Sequence, residues 1–352
     1  MVGLAFGFDL LLGEPPNRFH PVAWFGRLVG FVDREWTHRG PGGAIFAEAR
    51  VQRWLGVIVA VVFPLVPAAV AWWLVLGAST VHSMLGLVVA AVVLSLTVSV
   101  RMLLDLTREV LAASVSDVER ARESVLGLVG RDVEGLSGGE LRSAAVESVA
   151  ENFADGVVAT LLPFALLAPI SLPAAAAAAA WVKGVNTLDS MLGHPSKPIG
   201  TASARLDDAV MYVPARISAV LLALASANPV SLYRARRWAR VPSSPNSGWP
   251  MATLACALNV RLEKQDVYVL NPDARLPTVG DGERAVTIVA VASVLTVALA
   301  VACALVSPPI VAVISPVFES LPEWLTSLPE LAARLIEWLG ARIESALPGV
   351  TG

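Results

Sequence analysis

Charge is scarce in this chain. Of its 352 residues only 16% are Asp, Glu, Lys or Arg, while 55% are hydrophobic, against about 25% charged in an ordinary soluble domain. That deficit argues against a soluble enzyme and for an all-α, polytopic integral membrane protein. Cysteine is nearly absent. Cys256 and Cys303 lie far apart, with no CxxC and no neighbouring histidine, which argues against a disulfide framework and a zinc site. His20, His38, His82 and His194 are scattered, with no HxxxH pair. An excess of basic charge is missing too: the formal net charge is −3 and the pI about 5.9, so no nucleic-acid partner is expected. The N-terminal stretch lacks a basic leader region and carries Asp9 among its apolar residues, so it reads as mature sequence rather than a signal.

What the chain does have is long apolar runs. Leu55–Gly77, kinked by Pro64 and Pro67, and Leu85–Val100 predict a transmembrane hairpin, and Val286–Val306 predicts a further span. Residues 157–182 hold Pro163, Pro169 and Pro173, and predict a re-entrant or proline-broken helix pair. Ala209–Ala227 is expected not to span, because Pro214 and Arg216 shorten its apolar part. Arginines between Arg18 and Arg53, and again between Arg101 and Arg142, place the polar blocks on the cytoplasmic side of the cell membrane by the positive-inside rule. Residues 1–314 are expected to form the membrane-embedded domain. Residues 315–352 read as an interfacial amphipathic tail, with Leu331, Leu335 and Trp338 on one stripe.

Five polar blocks sit outside or at the margin of these runs. "ESVAENFADGVV" places Glu147, Glu151 and Asp155 four residues apart on one helical face, with Ser148 and Asn152 beside them. Like charges at that spacing repel unless a cation sits among them, so Mg²⁺ held by carboxylates and substrate phosphates suits the set; a solvated helix face suits the pattern as well. "WVKGVNTLDSMLGHPSKPIG" puts Lys183 at the end of the apolar dip, followed by Asn186, Thr187 and Asp189. It reads as a snorkelling anchor or as a phosphate or carboxylate clamp. "TASARLDDAVMYVPARIS" offers Arg205 and Arg216 as phosphate ligands and Asp207 or Asp208 as metal ligand or base, or else an internal ion pair. "DLLLGEPPNRFHPVAWFGRL" carries Arg18, His20 and Arg27 around a rigid Gly-Glu-Pro-Pro turn. "SSPNSGWPMA" is a second rigid turn, containing Asn246. A transporter more often buries such charges mid-span.

These blocks, in this order, resemble the CobD/CbiB family, the cobinamide(-phosphate) synthases of cobalamin biosynthesis. The strings carrying the resemblance are "DLLLGEPPNRFHPVAWFGRL", "ESVAENFADGVVA", "KGVNTLDSMLGH", "GTASARLDDAVMYVPARIS" and "SPNSGWPMATLACALNVRL". The resemblance covers most of residues 1–265; the "HPSKPIG" segment departs from the family pattern, and the tail lies outside it. It implies an integral membrane enzyme that uses ATP to join adenosylcobyric acid, a corrinoid, to (R)-1-amino-2-propanol or its O-phosphate through an amide bond. Lipid and other late enzymes of the pathway would be further partners. No GxxxxGK[ST] string is present, so nucleotide would bind without a P-loop.

For such chemistry the expected metal set is Glu147, Glu151, Asp155 and Asp189. Lys183, Arg205 and Arg216 are expected on phosphates, with Asn152, Asn186 and Asn246 in support. Asp208 or His20 is expected as the base, Glu147, Glu151 and Lys183 as catalytic groups, and Arg18 and Arg27 at the corrinoid rim. The competing expectation is a transporter or corrinoid-binding scaffold without chemistry.

Overall fold

The computed structural model describes residues 1–37, 48–130, 133–194 and 196–319. The N-terminal half is a run of helices: α1 (Val2–Leu12), α2 (Pro21–Thr37), α3 (Ala49–Val62), α4 (Leu65–Val81), α5 (Ser83–Ser95), α6 (Val100–Ser116) and α7 (Val118–Val125). Then follow α8 (Gly138–Phe153), α9 (Ala159–Leu167), α10 (Leu172–Leu192), α11 (Thr201–Val210), α12 (Tyr212–Ala225), α13 (Pro229–Ala235) and α14 (Gly248–Leu258). A small antiparallel hairpin, β1 (Leu262–Lys264) and β2 (Tyr268–Leu270), precedes the long α15 (Val279–Glu319).

Four stretches are long and apolar enough to cross a membrane: Ala49–Val81, Ser83–Ser116, Gly138–Leu167 and Val279–Val306. Three of them contain the spans expected from sequence. The fourth differs. It begins at Gly138, so the carboxylates of α8 lie within a largely buried span rather than ahead of one. Ser137 explains that start, because its hydroxyl and the Glu140 carboxylate form the reciprocal capping box that the sequence predicts. The proline-broken pair is present: α9 ends at Leu167, a turn follows, and Ser171 caps α10. Residues 198–225 form a helix pair bent by 49° between Val210 and Tyr212, which together reach spanning length. Most of Ala209–Ala227, expected not to span, lies in this pair, which by its bend is a broken span or a re-entrant loop. The predicted tail stripe from Leu331 to Trp338 lies outside the described residues.

Met1–Leu305 forms one compact unit. At its centre is α8, where Leu141, Val146, Val149 and Phe153 are fully buried. Lipid is as apolar as leucine, so burial alone adds little between spans, and close approach of small residues matters more. The alanine run shows this: Ala175, Ala176 and Ala179 are fully buried in α10. Further along α10, Gly184 faces Pro64 at the start of α4, where an added Cβ would lie 3.1 Å from the Pro64 Cα. The outer surface is an apolar belt, with Trp54, Val70, Trp73, Leu74 and Val294 exposed.

Two glycines set the approach to α11. A side chain at Gly200 would collide with the Leu192 carbonyl, and one at Gly56 on α3 would collide with the Ile199 carbonyl. The 194–200 segment is also pinned by Lys197, whose Nζ donates to Asp33 Oδ2 at 2.6 Å and to the Met191 carbonyl at 3.1 Å.

Candidate active site

The site begins at a defect in a helix. Between α8 and α9 the backbone widens into one π-helical turn, Ala154–Val158, in which Ala159 N–H reaches back five residues to the Ala154 carbonyl. Pro163 sits inside α9 one turn later, where a proline removes an i→i−4 bond. Single π-turns recur at functional sites. This one holds Asp155, and Asp155 Oδ2 accepts from Asn186 Nδ2 on α10 at 3.0 Å.

Lys183 lies one turn before Asn186 on the same helix. Its ammonium is within Coulombic range of both Glu14 and Asp155. Glu14 belongs to the Gly-Glu-Pro-Pro turn between α1 and α2, and its Oε2 lies 3.9 Å from His20 Nε2. His20 Nδ1 accepts the Val22 N–H at 3.2 Å and so caps α2. Burial holds the imidazole pKa below its usual range, opposed by Glu14 and reinforced by Lys183. His20 is therefore a helix cap through Nδ1, and its Nε2 makes no hydrogen bond to Glu14 at that distance; the ring is poorly placed to act as the base.

On the other side of Asn186 stands α11. Asp207 is only 8% exposed and lies within electrostatic range of Asp155, Asp189 and Asp208. Asp208 is tied to the fifth block: Ser244 Oγ donates to Asp208 Oδ1 at 2.8 Å, and Asn246 Nδ2 donates to the Asp208 carbonyl at 2.7 Å. Arg216 in turn donates to Asn246 Oδ1 and, at 3.1 Å, to the Pro245 carbonyl. Its guanidinium lies 3.8 Å from the Tyr212 ring centroid and 5.5 Å from that of Trp249. A chain of hydrogen bonds and charge contacts thus runs from Glu14 through Lys183, Asp155, Asn186, Asp207 and Asp208 to Asn246 and Arg216.

Other expected residues have other surroundings. Glu147 is buried two turns up α8, where its Oε1 accepts from the Tyr268 hydroxyl on β2 at 2.7 Å. Asn152 donates to Ser148, whose hydroxyl donates to the Leu128 carbonyl at 2.7 Å, so this pair braces α8 against the loop after α7. Glu151 is half-buried on α8 and has partners of its own. Arg18, Arg27 and Arg205 are exposed, Arg18 with its guanidinium over Phe19. The expected four-carboxylate metal set is therefore not assembled. Glu147 turns to the hairpin and Asp155 to Asn186, and among the described residues no three Asp, Glu, His or Cys side chains are arranged to hold a metal ion.

Sequence reasoning gave Glu14 no specific role and did not single out Asp207 from its neighbour. A signal existed for Asp207: Gly200 and Ser203, at helical spacing before it, mark the inward face of α11, whereas Arg205 falls on the outer one. Beside Lys183 an apolar groove of about 400 Å³ opens on the outer surface between α2, α4, α5 and α10, lined by Trp24, Phe25, Val70 and Leu74.

Fold and site define a helical membrane protein with a buried, carboxylate-rich centre pinned by one lysine. A family model described as CobD/Cbib protein matches residues 2–318. The chain is 38% identical over 289 residues to a cobalamin biosynthesis protein CobD of Geobacter metallireducens, covering 78% of this chain and 83% of that one. It is 34% identical over 301 residues to a probable cobalamin biosynthesis protein CobD of Methanothrix thermoacetophila, covering 84% and 93%. No solved structure shows significant similarity. The chain belongs to the CobD/CbiB family of cobalamin biosynthesis.

Proposed function

We propose that this protein is an ATP-dependent synthase of the cell membrane that forms an amide. It joins a propionate carboxylate of adenosylcobyric acid to (R)-1-amino-2-propanol or its O-phosphate. The observation that carries the reading is the convergence of all five polar blocks on one network around Asp155, Lys183 and Asn186.

A carboxylate and an amine at neutral pH form an ion pair, not an amide. Transfer of the γ-phosphoryl group of ATP to the carboxylate oxygen gives an acyl phosphate and ADP. The neutral amine then attacks the acyl carbon, the C–O bond to phosphate breaks, and phosphate leaves. The protein must hold a phosphoryl group, place the amine and accept one proton. Lys183 is the half-buried cation available to the acyl phosphate, within Coulombic range of Glu14 and Asp155. Asp208, oriented by Ser244, is the nearer choice of base now that His20 caps a helix. Arg216 braces the fifth block through Asn246. Mg²⁺ supplies charge neutralisation when it enters with ATP, but the residues present do not fit a preformed protein cage, so no step is assigned to a protein-held metal. The reading places the site on the cytoplasmic side, where ATP and the soluble substrates are found.

The test is direct. Purified protein is incubated with adenosylcobyric acid, ATP, Mg²⁺ and each amine, free and phosphorylated, and the products are read by mass spectrometry. The expected result is amide product with one of the two amines and stoichiometric ADP. Corrinoid binding without amide would instead support a transporter or scaffold.

A further inference from the structure

The network leaves one buried carboxyl oxygen without a partner. Asp207 is 92% buried by area, and its Oδ1 has no hydrogen-bond partner among the described residues. The groups acting on it are three more carboxylates, Asp155, Asp189 and Asp208, together with the Asn186 amide. Lys183, the half-buried cation nearby, is within Coulombic range of Glu14 and Asp155. His194 reaches Asp189 from the far end of α10. A buried carboxylate among carboxylates is costly unless a cation joins it.

We propose that Asp207 receives the primary ammonium group of the amine substrate, an organic cation rather than a metal. The identity of the amine rests on the amide-forming reading above; the place rests on geometry. A divalent metal needs several oxygens at about 2.0–2.6 Å, in a near-octahedral shell for Mg²⁺. Among the described residues no three acidic groups converge in that way. An alkylammonium asks for less. It has three donors, accepts bonds of about 2.7–2.9 Å from carboxylates, and tolerates acceptors spread around one hemisphere. Asp207 Oδ1 offers the vacant acceptor. Asp208 follows it on the same helix, held by Ser244 and Asn246, so an amine bound at Asp207 has a second carboxylate at hand for its proton.

The experiment measures binding without turnover, on full-length protein in nanodiscs, by calorimetry and ligand-observed NMR. The probes are 1-amino-2-propanol and its neutral counterpart 1,2-propanediol, in which hydroxyl replaces the amine. Wild type is expected to bind the amine and not the diol. Asp207→Asn is expected to weaken amine binding by about 30-fold or more, as removal of a buried charge partner does, and Asp207→Glu is expected to keep part of it. Equal binding of amine and diol overturns the proposal, as does undiminished amine binding by Asp207→Asn. Displacement of the amine from wild type by Mg²⁺ alone overturns it in favour of a metal site. If Asp207→Asn does not fold, as judged by gel filtration and thermal melting, the amine–diol and Mg²⁺ arms on wild type still decide. Neither ATP nor corrinoid is present. A protein that makes no amide can therefore pass this test, and one that makes amide can fail it.

Discussion

The Asn186 amide on α10 donates to the Asp155 carboxylate in the π-turn after α8, at 3.0 Å. This bond joins two elements on either side of the proline-broken turn, and it satisfies a carboxylate that burial would otherwise strand. Replacing Asn186 with leucine leaves that oxygen without its donor, which costs about 1–3 kcal/mol. The expected outcome is a lowered melting temperature together with loss of most amide product. Asn186→Asp is expected to be worse on both counts, because it adds another negative charge. Melting in detergent and product mass spectrometry check this; an Asn186→Leu variant of wild-type stability and activity overturns it.

Lys183 is a half-buried cation within Coulombic range of Glu14 and Asp155. Lys183→Met removes it and leaves both carboxylates uncompensated. Product formation is expected to fall by about 100-fold or more, the scale of losing one transition-state charge contact, while Lys183→Arg retains a fraction. Single-turnover assays of folded protein provide the measurement. Near-wild-type rates in Lys183→Met remove the residue from the mechanism.

Glu147 and Tyr268 make a tertiary bond of 2.7 Å between α8 and the hairpin. Tyr268→Phe is expected to destabilise by about 1 kcal/mol and to change kcat by less than about threefold, well under 1 kcal/mol of barrier. Glu147→Gln, which keeps an acceptor for the tyrosine, is expected to behave in the same way. A large kcat loss in Glu147→Gln with unchanged stability would restore Glu147 to the chemistry.

Asp9 on α1 accepts the backbone N–H of Arg101 at 3.0 Å, so one helix supplies the cap of another, α6. Burial raises its pKa from 3.8 to about 6, opposed mainly by the Arg101 N–H and reinforced by Glu14. A carboxyl raised on folding stabilises the fold fully below pH 3.8, and that contribution is lost as pH rises through about 6. Asp9→Asn keeps an acceptor without the charge. It is expected to exceed wild type at pH 7 by about 1–2 kcal/mol after allowance for solvent screening, with the gap closing below pH 4. Asp9→Ala, lacking the cap, is expected to be less stable than Asp9→Asn. Melting curves across pH 4–8 measure all three.

Much of this architecture is legible in the chain itself. The apolar runs around Leu55–Gly77, Leu85–Val100 and Val286–Val306 reappear within long helices, and the Ser137–Glu140 capping box forms as its spacing requires. The hairpin at 262–270 was not legible, because three-residue strands carry too little alternation to stand out. The carboxylate stripe was only half legible. A regular helix places Glu147, Glu151 and Asp155 on one face. The π-turn interrupts that regularity at Asp155, and the two ends of the stripe find different partners, Tyr268 and Asn186.

Composition and local pattern alone determined that this protein is helical, membrane-suited and rich in polar blocks at its apolar margins. The first two follow from local quantities, residues per turn and the apolar length needed to cross lipid. Which blocks meet was decided by tertiary structure. Asp155 pairs with a residue 31 positions away and Asp208 with one 36 positions away. Those pairings depend on a widened turn, a bent helix pair and the close approaches at Gly56, Gly184 and Gly200. Such contacts arise from how helices pack, and no periodicity in a single segment encodes its partner's position.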